Sequence, residues 1–427
     1  MSLQSRDAAT IWHPFTQMLT DGEAIPIVKG AGAYLYREDG SELLDAVSSW
    51  WVTVHGHGHP YLAEAIGQQA RELEQVIFAG FTHPQAVRLA ERLLSKLPDN
   101  MARVFFSDNG STAVEVGLKM AWQYWQNRGE DRHRIIAFEH AYHGDTFGAM
   151  SVSGRSIFTK AFDPLLFDVD FVRSPGETPL EEVLSDLEGI ADKGGVAAIV
   201  LEPLIQGAGG MLMYPPETLE RIVAWCQERD ILVIFDEVMT GFYRTGKLFA
   251  ALHLDRQPDI MCLSKGLTGG CLPLSITTCT KAIFDAFLSE DRSRMLFHGH
   301  SFTANPLGCA AANASLDLFE RAGTQARIER ICALQAEAKA VLEGHPHLTN
   351  LRQQGTILAM DIVVDGQSGY LNNVGRELGR WFLERNVLLR PLGNVLYIMP
   401  PYTMEPEDLR RVHRMIPEAL AGVGLKP

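Results

Sequence analysis

The sequence predicts an α/β protein built around a mostly parallel sheet, with a second, smaller domain. Through the middle of the chain, strand signals alternate with helix signals, a pattern typical of strand–helix–strand units. The run at 231–235 is apolar and β-prone throughout, as expected of a strand buried on both faces. At 427 residues the chain is also too long for one ordinary core, so we expect two domains.

The individual elements follow from local composition. Strands are predicted where β-branched and aromatic residues cluster, at 103–108, 134–139, 196–201, 232–235 and 260–263. Helices are predicted at 111–126 and at 216–229, the second with proline near its start. After residue 306 the pattern changes to long helical stretches (307–322, 325–343) and short strands (356–363, 395–399). We therefore divide the chain into 1–60 (the N-terminal part of the small domain), 61–306 (the large domain) and 307–427 (the C-terminal part of the small domain).

Composition narrows the function. The net charge is −14, from 38 basic and 52 acidic residues spread along the chain, which argues against nucleic acid as a partner. The apolar runs are strand-sized, well short of the ~20 residues that a membrane span needs, and the polar start at 1–7 is unlike a signal peptide. The six cysteines show no CxxC spacing. We expect reduced thiols in a cytoplasmic protein that binds no membrane.

Residues that follow two of the predicted strands indicate the chemistry. Asp236 and Glu237 come directly after the strand at 232–235, and Lys265 follows the strand at 260–263. Ligands of open α/β sheets bind beyond the carboxyl ends of the strands. A carboxylate that keeps a pyridine nitrogen protonated and a lysine that forms a Schiff base are the groups that pyridoxal phosphate (PLP) chemistry requires. Buried strands often end in aspartate, so this pair alone does not decide the question.

Three further loops follow predicted strands. At 107–112, small residues before a helix would let backbone N–H groups and the Ser111 hydroxyl approach an anion, although ordinary N-capping fits the same residues. Tyr142 stands before a glycine and could stack on a flat cofactor. Glu202 opens a glycine-rich loop in which it could order nearby groups.

Two other patterns are near misses. The segment at 241–248 resembles a P-loop, but Leu248 replaces the Ser or Thr that would hold Mg²⁺, so we expect Arg244 to support the adjacent site instead of nucleotide hydrolysis. Histidines alternate with glycine at 55–59 and 298–300, without a carboxylate or cysteine at a recognisable ligand spacing. We expect structural histidines and no metal site there.

Together these segments resemble the class III PLP-dependent aminotransferases of fold type I. The resemblance implies a large domain with a mostly parallel seven-stranded sheet and a smaller α+β domain formed by both termini. It implies catalytic roles for Lys265, Asp236 and Tyr142. The implied cofactor contacts are Gly110 and Ser111 at the phosphate, Tyr142 and Val238 on the two ring faces, Asp236 at the ring nitrogen, Lys265 in the Schiff base, and His300 and Ser301 from the other subunit of a homodimer.

Further segments resemble the branch of this family that acts on 8-amino-7-oxononanoate in biotin synthesis; these are 11–18, 48–51, 110–115, 119–125, 142–150, 206–211, 390–391 and 397–402. The resemblance implies substrate contacts from Phe15, Trp50, Tyr142, Gly299 and Arg390, and the planar fork of an arginine suits a carboxylate. Phe15 stands where relatives that use S-adenosyl-L-methionine commonly carry tyrosine. The resemblance favours S-adenosyl-L-methionine as the amino donor, and Phe15 leaves lysine as the alternative.

Three alternatives remain open from the sequence. A class III ω-amino-acid:pyruvate aminotransferase would share the lysine and the carboxylate. An aminomutase of the same fold would also share them, but it would need no separate donor. A cofactor-free regulatory or metal-binding protein would depend on the histidine turns instead.

Overall fold

The computed structural model describes residues 2–364 and 368–425. The strands are β1 (Ile27–Ala31), β2 (Tyr34–Arg37), β3 (Glu42–Asp45), β4 (Met101–Ser107), β5 (Arg134–Phe138), β6 (Asp170–Val172), β7 (Val196–Leu201), β8 (Ile205–Gln206), β9 (Leu212–Met213), β10 (Leu232–Asp236), β11 (Ile260–Leu263), β12 (Ser275–Thr280), β13 (Leu348–Gln354), β14 (Ile357–Ile362), β15 (Val387–Leu388) and β16 (Val395–Ile398).

The helices lie between these strands and after them. They are α1 (Leu3–Thr10), α2 (Ser48–Trp51), α3 (Pro60–Glu72), α4 (Pro84–Leu94), α5 (Gly110–Asn127), α6 (Phe147–Ser151), α7 (Leu180–Ala191), α8 (Pro216–Gln227), α9 (Lys281–Ala286), α10 (Pro306–Phe319), α11 (Ala322–Leu342), α12 (Asn373–Leu383) and α13 (Pro406–Gly422). No helix within the described ranges has the length and apolar character needed to cross a bilayer.

A seven-stranded sheet forms the centre of the molecule, in the order β4-β12-β11-β10-β7-β5-β6. The pairs formed by β11, β10, β7, β5 and β6 are parallel, and only β12 runs antiparallel to its neighbours. Every residue of β7 and β10 is buried, which explains why their sequences are apolar without alternation. The predicted mostly parallel α/β fold is confirmed.

Two smaller sheets involve the ends of the chain. One has the order β1-β2-β3-β15, so a C-terminal strand pairs in parallel with an N-terminal one. The other has the order β13-β14-β16. The pairing of β15 with β3 confirms the smaller α+β part built from both termini. The domain limits at residues 60 and 306 stay a prediction.

The predicted list of strands omits two members of the central sheet, β6 and β12. β12 carries the sequence Ser-Ile-Thr-Thr-Cys-Thr and has no continuous apolar run. Thr277 places its hydroxyl 2.7 Å from the Ala113 carbonyl oxygen, to which it donates a hydrogen bond. The buried Thr277 hydroxyl is thus satisfied by α5, whereas the hydroxyls of Ser275 and Thr278 have no hydrogen-bond partner among the described residues. Local composition does not reveal that such a polar strand is buried.

Candidate active site

The carboxyl ends of β10 and β11 bring the two predicted catalytic residues to one edge of the sheet. The strands are parallel neighbours, with Asp236 opposite Cys262, and Lys265 follows three residues later. Both side chains border a cavity of about 400 Å³. Other cavity residues that the sequence predicted are Gly110, Ser111, Tyr142, Glu202 and Val238.

The Asp236 carboxylate is buried, at 4% exposure, and is held by two donors. Its Oδ2 lies 2.7 Å from Nδ1 of His143, and its Oδ1 accepts the Val238 N–H at 3.0 Å. Among the described residues, Nε2 of His143 has no hydrogen-bond partner. Since a carboxylate only accepts, His143 presents its Nδ1 proton to Asp236. The pair delivers an oriented acidic group to the cavity wall.

Glu237 does not share this role. Its two oxygens accept the N–H groups of Ala250 and Ala251, at 2.6 and 2.7 Å, and burial raises its pKa to about 8. Successive side chains of a strand point in opposite directions. The expectation that two carboxylates meet the ligand at this strand end is therefore wrong for Glu237, which caps a turn outside the cavity.

Lys265 is strained and unpaired. Its φ is +45°, a region that residues other than glycine rarely adopt. Within the described ranges the ammonium makes no hydrogen bond or ion pair, and it lies 4.7 Å from the centre of the Trp51 ring. Burial lowers its pKa to about 8, although the charges of Asp236 and Glu202 oppose the shift. The amine is thus closer to its neutral, nucleophilic form than a surface lysine is.

Glu202 orders the loop that carries Tyr142. Its Oε1 accepts the Tyr142 N–H at 3.0 Å, and its Oε2 accepts the Gly207 N–H at 2.8 Å. Burial raises the pKa of Glu202 to about 7 and also raises that of the Tyr142 phenol. The predicted ordering role of Glu202 is confirmed by these contacts.

The N-terminus of α5 combines the two readings that the sequence allowed. Asn109 caps the helix by accepting the Thr112 N–H at 3.1 Å. The N–H groups of Gly110 and Ser111 make no hydrogen bond with any other described residue. A Cβ at position 110 would lie 2.7 Å from Cγ1 of Val238. The helix is capped, and two donors still face the cavity.

The predicted substrate residues Phe15, Trp50 and Arg390 form a more exposed cluster. The rings of Phe15 and Trp50 are 5.6 Å apart, and the Arg390 guanidinium lies 4.5 Å from the centre of the Trp50 ring. Phe15 also contacts Phe158 at 5.8 Å. Phe158 borders a second cavity, of about 880 Å³, which Tyr142 joins to the first.

The remaining predicted residues lie elsewhere in the structure. Gly299, His300 and Ser301 border neither cavity. The carbonyl oxygen of Ser301 accepts a hydrogen bond from the Gln75 amide at 2.7 Å. Within a single chain this segment therefore does not reach Lys265.

The histidine turns have partners within the protein. Nε2 of His55 lies 3.0 Å from the Ser315 hydroxyl, Nε2 of His57 lies 2.9 Å from Oδ2 of Asp45, and His59 caps α3. Across residues 2–364 and 368–425, no three His, Cys, Asp or Glu side chains group as metal ligands.

Comparison with known proteins agrees with this geometry. The model of the class III aminotransferases matches residues 18–420. The chain belongs to this family. A protein from Synechococcus elongatus named adenosylmethionine-8-amino-7-oxononanoate aminotransferase is 49% identical, with 96% of this chain and 98% of that protein covered. One of the same name from Geobacter sulfurreducens is 42% identical, covering 96% and 95%.

Solved structures give the same relation. An aminotransferase of that name from Methanocaldococcus jannaschii superposes with a TM-score of 0.93 at 36% identity, covering 98% of both chains. An amine transaminase from an uncultivated Pseudomonas species, solved in its PLP-bound form, superposes with a TM-score of 0.91 at 31% identity, covering 97% of this chain and 99% of that one.

As a class III aminotransferase, the enzyme depends on PLP, and the residues of the smaller cavity fit that cofactor. They combine an unpaired, partly buried lysine, a buried carboxylate with an oriented histidine, and free backbone donors at a helix N-terminus. Such donors suit a phosphate. A Cβ at Gly144 would collide with the Ser111 side chain. The loop that carries Tyr142 can therefore approach this end of the cavity closely only with glycine at position 144.

Sequence reasoning missed four residues around these cavities. His143 directly follows Tyr142 in the sequence, but its hydrogen-bond partner Asp236 lies 93 residues away along the chain. Trp51, rather than the predicted Trp50, borders the cavity of Lys265. Phe158 and Tyr370, whose ring centres are 4.5 Å apart, have no recognisable motif around them.

Proposed function

We propose that this class III aminotransferase transfers an amino group to 8-amino-7-oxononanoate and forms 7,8-diaminononanoate for biotin synthesis. The observation that carries the proposal is the 49% identity, over nearly the whole chain, to a relative whose name states this acceptor. Identity to the Pseudomonas amine transaminase is lower, at 31%. The alternatives of an ω-amino-acid:pyruvate aminotransferase and an aminomutase have less support.

The residues that border the smaller cavity, which we call the cofactor wall, have separate tasks in this proposal. When bound, PLP supplies an electron sink that stabilises negative charge on the donor α-carbon. Lys265 would hold the cofactor covalently, and its Nζ would move the proton at the donor α-carbon. Asp236 holds the proton of the cofactor ring nitrogen, because a nearby anion favours the protonated ring. Gly110 and Ser111 hold the phosphate, while Tyr142 and Val238 enclose the ring.

The exposed cluster would recognise the acceptor. Arg390 is the charged member of this cluster, which we call the substrate wall, and its planar guanidinium can bind both oxygens of the acceptor carboxylate. The Trp50 ring beside it offers an apolar face to the alkyl chain of the substrate. This arrangement suits a long apolar chain that ends in a carboxylate.

For the amino donor we propose S-adenosyl-L-methionine, with lysine as the second candidate. The cavity of about 880 Å³ beside Tyr142 has room for a nucleoside that lysine does not carry. Phe15 lacks the hydroxyl found in many relatives that use this donor, so the donor has to be tested directly.

The test is the visible absorption spectrum of the purified holoenzyme, recorded after S-adenosyl-L-methionine and lysine are added separately. The correct donor will bleach the band of the lysine-bound cofactor, and 8-amino-7-oxononanoate will restore it. A spectrum that responds to simple ω-amines and pyruvate but to neither donor would favour the first alternative. Product formation without any donor would favour the aminomutase.

We also propose a homodimer in which His300 and Ser301 reach the phosphate of the partner's site. Large apolar side chains lie exposed near this segment, including Phe297 at 60% and Phe302 at 63%. Patches of this kind mark protein–protein contacts. The expected cytoplasmic location stays a prediction, and all six cysteines, which lie in the described ranges, are unpaired.

Subunit mixing tests the shared site. Lys265→Ala and Ser301→Asp subunits are each expected to be inactive, the second because its new carboxylate repels the phosphate. If Ser301 acts across the interface, a mixed dimer has one intact site and regains about half of the wild-type activity. Failure to regain activity in a verified mixed dimer would contradict the shared site.

A further inference from the structure

The turn that carries the two tryptophans has an unusual backbone. Ser48, Ser49 and Trp51 have φ values of 53°, 58° and 67°, which residues with a Cβ rarely adopt. Ser49 combines its φ with a ψ of −104°. These angles match the first central position of a type II′ turn, where glycine is the usual residue. The turn therefore depends on contacts that hold it in place.

Asp45, at the end of β3, provides those contacts. Its side chain is fully buried, with 0% exposure. Oδ1 accepts the Val47 N–H at 3.0 Å, and Oδ2 accepts the Ser49 N–H at 2.6 Å. Oδ2 also meets Nε2 of His57 at 2.9 Å. All three partners donate to a carboxylate, whereas an asparagine would turn an N–H group towards one of them.

The turn sets the direction of two indoles with different tasks. The Trp51 ring borders the smaller cavity, with the Lys265 ammonium 4.7 Å from its centre. The Trp50 ring lies against Arg390 on the exposed side. Successive residues reach opposite sides because the turn has this one conformation. A change in the backbone angles of Ser49 would move the Trp50 ring, which follows it directly.

Other contacts hold the surrounding fold independently of Asp45. The Ser48 hydroxyl donates to the Met399 carbonyl at 2.9 Å, and the Trp51 indole N–H donates to the Tyr397 hydroxyl at 2.9 Å. Arg244 donates to the carbonyl oxygens of Pro400 and Trp51, as its predicted supporting role requires. Loss of the Asp45 carboxylate should therefore loosen the turn and leave the cofactor wall in place.

We propose that Asp45 is a positioning residue for substrate specificity: with His57 it holds the turn at 48–51 and so sets where Trp50 meets the substrate. The inference rests on the proposed function only in taking Trp50 and Arg390 as the substrate wall. It adds a residue that touches neither cofactor nor substrate.

The test is Asp45→Asn in the holoenzyme, with kinetics measured for whichever acceptor the wild-type enzyme turns over, so that an error in the acceptor's identity leaves the test intact. We expect KM to rise about tenfold, equal to ~1.4 kcal/mol of binding free energy. We expect kcat and the visible cofactor band to change little, and the near-ultraviolet circular dichroism of the tryptophans to change even in the apoenzyme.

Rescue distinguishes positioning from general stability. Ser49→Gly in the Asp45→Asn background should lower KM most of the way back to the wild-type value, because glycine adopts this φ without strain. Asp259→Asn is the matched control: its partly buried carboxylate accepts the Val233 N–H at 2.9 Å, at the opposite end of the sheet. It should lower stability and leave KM unchanged.

Two results would overturn the proposal. One is an unchanged KM in Asp45→Asn. The other is a rise in KM accompanied by a fall in kcat and a loss of the cofactor band, none of which Ser49→Gly reverses. If Asp45→Asn does not fold, His57→Ala removes one of the three contacts and should raise KM about threefold, a change of ~0.6 kcal/mol at RT of about 0.59 kcal/mol; an unchanged KM there would also overturn it.

Discussion

The two walls that we propose for the active site are built in opposite ways. The cofactor wall lies at the carboxyl edge of the central sheet, where Asp236, His143 and Glu202 are at most 5% exposed and each hydrogen-bonds to a neighbouring group. The substrate wall comes from loops near both ends of the chain, where Phe15 is 43% and Trp50 is 42% exposed. Changes in the first wall leave buried polar groups without partners, whereas changes in the second are made at a hydrated surface.

This contrast teaches where the chemistry and the selectivity of the enzyme reside. A buried charge interacts more strongly with its neighbours than an exposed one, because water screens it less. Substitutions in the cofactor wall should therefore affect every substrate alike and by large factors. Substitutions in the substrate wall should discriminate between substrates, with smaller effects.

The largest effect is expected for Lys265→Ala. The enzyme loses both its covalent attachment of the cofactor and the base at the donor α-carbon, so turnover should fall by at least ~10⁴-fold, the upper end for a general base alone. Single-turnover assays and the visible spectrum measure this. Lys281→Ala, which removes an exposed lysine paired with Asp285, is the control and should be fully active. More than a trace of activity in Lys265→Ala would refute the assignment.

Asp236→Asn should be the next most severe change. The amide cannot hold the ring nitrogen in its protonated form, and it leaves His143 facing a neutral group. We expect kcat to fall by about 10²- to 10³-fold, as when one preorganised electrostatic group is removed. The loss should be similar for donor and acceptor half-reactions, measured separately by stopped-flow absorbance. A loss confined to one half-reaction would contradict the separation of the two walls.

Arg390→Ala tests the substrate wall. Loss of a hydrogen-bonded charge partner costs about 1.5–3 kcal/mol, so KM for the carboxylate-bearing acceptor should rise roughly 10- to 100-fold. The cofactor spectrum should not change. An acceptor analogue without the carboxylate is the control, because wild type and variant should bind it equally. Equal losses for both compounds would show that Arg390 only supports the Trp50 ring.

The same contrast explains how much of the site could be predicted from the sequence. Strands β7 and β11 coincide with their predicted ranges because residues buried on both faces are apolar without interruption. Asp236 and Lys265 follow directly from the ends of such strands. The positions of Asp236 and Lys265 could therefore be predicted from short segments and from the rule that ligands bind at this sheet edge.

The parts that could not be predicted depend on contacts between distant segments. The choice between Asp236 and Glu237 is made by the direction of alternate side chains and by a distant turn that takes up Glu237. Which of Trp50 and Trp51 borders the cavity of Lys265 depends on a turn whose positive φ angles cannot be predicted from the local sequence. His143 acquires its role only because the sheet brings Asp236 to it.

The smallest effect is expected for Phe15→Tyr, which restores the hydroxyl common in relatives that use S-adenosyl-L-methionine. The ring of Phe15 already packs on Trp50 and Phe158, so the change adds one hydrogen-bonding group without moving the wall. A single neutral hydrogen bond contributes ~1 kcal/mol, which predicts a rise of about fivefold in kcat/KM for S-adenosyl-L-methionine and no change for lysine. Phe158→Tyr adds the same hydroxyl to a neighbouring ring and is the control. An equal response to both donors would mean that position 15 only shapes the entrance and that the donor is chosen elsewhere.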